Sequence, residues 1–147
     1  LRLKPAPPIA ATVAAPAEGN DILVIDDGAT SREVIAFNLA TIGFRATLAA
    51  TAEAALAEVE GKRWAAMLID FRLPGRDGIS LLGDLKARLQ AGNRPRVVII
   101  SGDPPQSADL LAAAGVGAWL IKPVSRDDLA AALAGLEAPE RREGGAP

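Results

Sequence analysis

The sequence has no histidine, cysteine or tyrosine, and only one methionine, three phenylalanines and two tryptophans in 147 residues. Without cysteine there are no disulfides and no thiol chemistry, and the redox compartment stays open. Without histidine, imidazole zinc sites, Ser-His-Asp triads and histidine general bases are excluded from this chain. Aromatics at 3% of the residues leave a core of Ala, Val, Leu and Ile. An excess of one charge is lacking too. Sixteen basic side chains stand against eighteen acidic ones, and no basic run offers a nucleic-acid surface. The apolar runs fall far short of the about 20 residues a membrane helix needs. Arg2 and Lys4 are followed by Pro and Ala rather than a Leu-rich stretch, so there is no signal-peptide pattern. A cytoplasmic location is the default expectation, although a parent protein could be membrane-anchored. The chemistry left open uses carboxylates, lysine, hydroxyls and a metal ion.

Residues 1–19, with Pro5, Pro7, Pro8 and Pro16 among alanines, have the composition of a semi-extended linker. Residues 139–147, with Glu140, Arg141, Arg142, Glu143 and two glycines, have that of a frayed tail. Residues 20–138 form the expected domain. Within it, Ile22–Ile25, Ala65–Ile69, Val97–Ile100 and Ala118–Ile121 are short, almost wholly apolar runs. They predict parallel strands covered on both faces, and the mixed Arg45–Ala49 predicts an edge strand. A helical pattern follows each. Val34, Ile35, Leu39 and Ile42 precede Gly43, and Thr51 caps a segment ending at Gly61. Leu82, Leu85 and Leu89 form one stripe, and Leu110 and Leu111 precede Gly115. Ser125 and Asp128 make a capping box before Leu129, Leu133 and Leu136. Five β-α units predict an α/β fold, a flavodoxin-like doubly wound parallel sheet of order 2-1-3-4-5, with function beyond the carboxyl ends of strands 1 and 3.

The residues ending these strands carry the chemistry. Strand 1 runs into Asp26-Asp27, strand 3 into Asp70, strand 4 into Ser101, and strand 5 into Lys122-Pro123. Three carboxylates at one rim repel and raise one another's pKa unless a cation neutralises them. A hard, oxygen-liganded divalent ion such as Mg²⁺ suits them, and Lys122 adds a fixed positive charge. Such a site suits phosphoryl transfer with an aspartate as covalent nucleophile. The Ser101 hydroxyl would sense an attached phosphoryl group.

The blocks Ile22-Leu23-Val24-Ile25-Asp26-Asp27, Asp70-Phe71-Arg72-Leu73-Pro74-Gly75-Arg76-Asp77-Gly78, Ile99-Ile100-Ser101-Gly102 and Ile121-Lys122-Pro123 resemble the signature blocks of response-regulator receiver domains. The similarity spans Asp21 to Leu136, and the stretch Asp26 to Val34 resembles receivers attached to hybrid histidine kinases. The resemblance implies Asp70 as phosphoacceptor and Asp27 as a direct Mg²⁺ ligand. It implies Asp26 as a metal-site carboxylate acting partly through water, and the backbone carbonyl of Arg72 as a further ligand. It implies Ser101 as switch hydroxyl, Lys122 as the cation contacting the phosphoryl group, and a cis Lys122–Pro123 bond. Pro74, Gly78 and Pro123 shape the loops. The family's switch aromatic is Tyr or Phe, whereas Trp119 stands at the matching position, a departure that alters its coupling to Ser101. Alternatively, Trp119 is an edge-strand aromatic half covered by the last helix. Arg72 and Arg76 could pair with the site carboxylates, and Asp77 suits a turn and helix cap.

Two rival readings fit these residues less well. Aspartate-nucleophile phosphatases place nucleophile and acid two residues apart after strand 1, but position 28 is Gly. A pseudo-receiver, an interaction module that regulates an attached kinase without being phosphorylated, usually lacks the acidic pair, the acceptor or the lysine, and this chain keeps all of them. Gly115-Val116-Gly117 lacks a third glycine and precedes a strand, so it is no dinucleotide fingerprint. Whether the chain counts as an enzyme is open, because a receiver catalyses only its own modification. Leu1-Arg2-Leu3 before the linker resembles the closing strand of a kinase ATP-binding domain, which implies a receiver tethered behind a kinase core. The expected partners are a histidine kinase core or a histidine phosphotransfer protein, with no direct nucleic-acid or membrane contact. A dimer through the helix 4–strand 5–helix 5 face is a further expectation.

Overall fold

The computed structural model describes residues 20–136 apart from Gln106. The expected linker, its kinase-like start and the expected tail lie outside the described residues. The elements are β1 (Asp21–Ile25), α1 (Ala29–Thr41), β2 (Arg45–Ala49), α2 (Ala52–Val59), β3 (Ala66–Asp70), β4 (Arg72–Leu73), β5 (Arg76–Asp77), α3 (Gly78–Ala87), β6 (Arg96–Ser101), α4 (Ala108–Ala114), β7 (Ala118–Ile121) and α5 (Arg126–Ala132). Five strands form one parallel sheet in the order β2-β1-β3-β6-β7, the 2-1-3-4-5 pattern once the two-residue ribbon β4-β5 is set aside.

Alternate residues of each strand feed two cores. Ile22, Val24, Leu68, Val98 and Ile100 pack under α1 and α5 with Ile35, Leu39, Leu129 and Leu133. Leu23, Ile25, Met67, Ile69, Val97 and Ile99 pack under α2 and α3 with Ala55, Val59, Leu81, Leu82 and Leu85. Burying each such aliphatic side chain is worth about 1.5–3 kcal/mol. The predicted helix starts are present: Thr51 accepts from the Ala54 N–H, Asp77 from the Ser80 N–H, and Ser125 and Asp128 close a reciprocal capping box.

Three expectations need correction. Ala118–Ile121 takes the edge that the expected order gives strand 5, but its faces are only partly covered, and Ile121 is 43% exposed. An all-apolar run does not distinguish a central strand from an edge lying beside a short helix, and α4 buries no residue fully. β1 begins at Asp21, whose buried carboxylate is paired with Arg45 at 3.3 Å and Lys62 at 3.6 Å. Trp119 packs against the α2–α3 core rather than beneath the last helix, because it alternates with Ala118 and Leu120, which face α5.

Candidate functional site at the carboxyl rim of the sheet

Parallel pairing of Ile25 with Ile69 brings the ends of β1 and β3 side by side. The chain then delivers Asp26 and Asp70 to one rim, where each of Asp26, Asp27 and Asp70 offers an oxygen within 4.8 Å of the others. Asp26 and Asp70 are buried, and Asp27 is exposed. Asp26 is held from three sides: Oδ1 accepts from the Gly28 N–H at 2.8 Å, and Oδ2 accepts from the Ser31 hydroxyl at 2.6 Å and lies 3.2 Å from Lys122 Nζ. The Arg32 guanidinium donates to the Asp26 carbonyl at 2.8 Å. Asp70 Oδ1 accepts from the Arg72 N–H at 3.1 Å, and Oδ2 accepts from Lys122 Nζ at 3.1 Å. Lys122 therefore bridges the two buried carboxylates.

The two carboxylates differ electrostatically. Burial pushes both upward. At Asp26 the Ser31 hydroxyl, the Gly28 N–H and Lys122 outweigh it, and the carboxyl sits below its ordinary value. At Asp70 burial prevails, helped by the charge of Asp26 and opposed by Lys122 and the Arg72 N–H, so this carboxyl sits above its ordinary value. Lys122 loses hydration on burial, but its hydrogen bond to Asp70 and the two carboxylate charges hold its pKa above the ordinary lysine value. A rim with three carboxylates and one ammonium is deficient in positive charge, and its hard oxygen donors fit a divalent cation.

Ser101 ends β6 one residue past Ile100, which pairs with Asp70, so its buried hydroxyl lies at the same rim. Its carbonyl accepts the Lys122 N–H at 2.8 Å, and its Oγ accepts the Asp103 N–H at 3.1 Å. The Lys122–Pro123 bond is cis. The ribbon β4-β5 turns at Pro74-Gly75, with Gly75 at φ 83°. Gly78 is required by close approach, since a Cβ there would stand 2.8 Å from the Asp70 carbonyl oxygen. The arginines do not pair with the site carboxylates. Arg72 reaches Asp103 at 3.0 Å, and Arg76 reaches Asp84 at 2.8 Å and Ser80 at 3.0 Å, because the ribbon sets them on opposite faces, Arg76 on that of the buried Leu73 and toward α3. Trp119 stacks at a tilt on Phe71 with centroids 5.3 Å apart, and its indole N–H donates to the Asp103 carbonyl at 2.8 Å.

The fold thus brings together Asp26, Asp27, Asp70 and Lys122, with Ser101 beside them and Trp119 on the flank. Sequence reasoning missed Ser31, Arg32, Phe71 and Asp103. Ser31 had a signal, a hydroxyl in the first turn after an acidic pair. Asp103 had none, since its contacts depend on loop shape.

The family model for the response regulator receiver domain matches residues 22–134. The transcriptional regulatory protein FixJ of Bradyrhizobium diazoefficiens is 35% identical over 113 residues, 76% of this chain and 54% of that protein. The sensor histidine kinase AruS of Pseudomonas aeruginosa is 34% identical over 133 residues, 89% of this chain but 13% of the kinase. The chain thus spans about half of the first relative and a small part of the second. Among solved structures, the receiver domain of the P. aeruginosa sensor histidine kinase PA1611, with magnesium coordinated in its active-site cleft, is 31% identical with a TM-score of 0.66, covering 78% of this chain and 94% of that one. A receiver domain from Methylobacillus flagellatus is 25% identical with a TM-score of 0.70, covering 80% and 98%. Fold, acidic rim and sequence agree: the chain belongs to the response regulator receiver domain family of two-component systems.

Proposed function

We propose that Asp70 is a phosphoacceptor that takes its phosphoryl group from a phosphohistidine on a partner protein. The observation that carries this is the bridge of Lys122 between Asp70 and Asp26 inside a cluster of three carboxylates. In the transfer, the phosphorus–nitrogen bond to the imidazole breaks as a carboxylate oxygen of Asp70 bonds to phosphorus, and the leaving imidazole takes up a proton. Asp26, Asp27, Asp70 and the Arg72 carbonyl would hold a Mg²⁺ ion, which supplies positive charge to the transferring oxygens. Lys122 faces the group from the β7 side and contacts it as a second cation. Ser101 donates its hydroxyl hydrogen to a phosphoryl oxygen and so registers occupancy. Gly78 lets α3 abut the end of β3 and keeps Asp70 at the rim.

The partner's imidazole has to approach in line with Asp70, so the docking surface is α1 with the neighbouring loops. Val34 and Phe37 of α1 are 47% and 70% exposed. A cavity of about 430 Å³ lies between Thr30, Ser31 and Val34 of α1 and Lys122 and Pro123 after β7. Similarity to two sensor histidine kinases supports tethering to a kinase core, and relay to a phosphotransfer protein is then the output. Incubation with acetyl phosphate and Mg²⁺, read by intact mass, tests the reading. One phosphoryl adduct is expected on the wild type and none on Asp70→Asn. Turnover of many phosphate esters, or no adduct, would overturn it.

A further inference from the structure

Asp103 ties the β6–α4 loop to the rest of the molecule. Asp103 donates its N–H to the Ser101 Oγ at 3.1 Å, offers its carbonyl to the Trp119 indole N–H at 2.8 Å, and pairs its carboxylate with Arg72 at 3.0 Å. Trp119 is itself braced by Phe71 and partly buried against the α2–α3 core. A serine hydroxyl has one hydrogen to give and two lone pairs to receive. With a lone pair committed to Asp103, the Ser101 hydrogen remains to be given elsewhere, and the Asp70 rim lies beside it. The Arg72–Asp103 pair is exposed on both sides and contributes little. The indole bond reaches a backbone carbonyl from a ring that is stacked on Phe71, so it acts on the loop's main chain rather than on a side chain.

We propose that Trp119 is a positioning residue: a fixed strap that, through Asp103, holds the Ser101 hydroxyl in the orientation needed to donate to a phosphoryl group on Asp70, rather than an aromatic that turns when that group arrives. The proposal rests on the phosphoacceptor reading. Trp119→Phe keeps a ring against Phe71 but deletes the indole N–H together with the fused five-membered ring, so the strap is isolated by comparing the replacement with and without the Ser101 hydroxyl. Beryllofluoride with Mg²⁺ serves as the phosphoryl probe, and its affinity is read by fluorine NMR. One net hydrogen bond corresponds to roughly a two- to tenfold change in an equilibrium constant. Trp119→Phe therefore weakens beryllofluoride binding by about that factor, and the same replacement made in Ser101→Ala has no effect, since the two residues act through one bond. A merely structural tryptophan would cost the same in both backgrounds.

A second measurement does not depend on the variant's folding. The Trp119 indole N–H signal of the wild type stays protected from exchange and in place when beryllofluoride binds. Tighter or unchanged binding by Trp119→Phe, an equal penalty without Ser101, or loss of indole protection on binding overturns the strap while the phosphoacceptor reading stands. A wild type that takes up no beryllofluoride overturns both.

Discussion

At the scale of single residues, the site is a problem in charge. Asp70 is held above its ordinary value by burial first and by the charge of Asp26, against Lys122 and the Arg72 N–H. A carboxyl whose pKa is raised on folding binds its proton more tightly in the folded state. Ionised Asp70 therefore weakens the fold at neutral pH, and stability recovers as pH falls through the raised value. Asp70→Asn should melt at a higher temperature than the wild type in chelator at neutral pH, with the gain shrinking toward acid; a lower melting temperature there would contradict the electrostatic account. Lys122 is the opposite case. Its pKa is raised, so its contribution is fully present through neutral pH and is lost only as pH climbs through the folded value. Lys122→Met should destabilise the protein at neutral pH by leaving Asp26 and Asp70 facing each other, and acidification should relieve much of that loss. A pH-independent loss in thermal melts would mean that Lys122 acts by packing alone. The chemistry-bearing residues were readable from sequence because each ends an apolar run, and the run itself marks the rim. Ser31 carried only the signal of a first-turn hydroxyl, Arg32 of α1 reaches a main-chain carbonyl that no pattern marks, and loop conformation decides the contacts of Asp103 and keeps Arg72 and Arg76 away from the carboxylates.

At the scale of elements, helix starts and strand order followed from local signals. Thr51, Asp77 and Ser125 each satisfy an N–H at the start of a helix, as their residue types require. Ser125→Ala should cost about 1 kcal/mol in urea unfolding, because it opens the capping box of α5. What composition did not convey was how little cover the last strand receives and which way Trp119 faced, since both depend on neighbours distant in sequence. The junction of β3 with α3 is the tightest of these joints. A methyl group at Gly78 would meet the Asp70 carbonyl oxygen at 2.8 Å and the Phe71 Cα at 3.2 Å, both backbone atoms. Gly78→Ala should therefore cost about 1–3 kcal/mol and shift Asp70, slowing its labelling by acetyl phosphate. Unaltered stability and labelling would show that α3 can slide without disturbing the rim.

At the scale of the whole molecule, the sheet places its reacting groups at one end and an exposed apolar stripe of α1 beside them. No helix among the described residues is long and apolar enough to cross a membrane. Phe37, 70% exposed, is a large aromatic with no packing role among the described residues. Phe37→Glu should slow transfer from a phosphohistidine protein far more than it slows labelling by acetyl phosphate, because only the protein donor needs the surface. Equal effects on both donors would place docking elsewhere. The central claim concerns one carboxylate. Borohydride reduction of the labelled protein converts an aspartyl phosphate to homoserine, and peptide mass spectrometry then locates it. The account predicts homoserine at position 70 alone, and only when Mg²⁺ was present during labelling. Homoserine at position 26 or 27, or label that survives in Asp70→Asn, would contradict it.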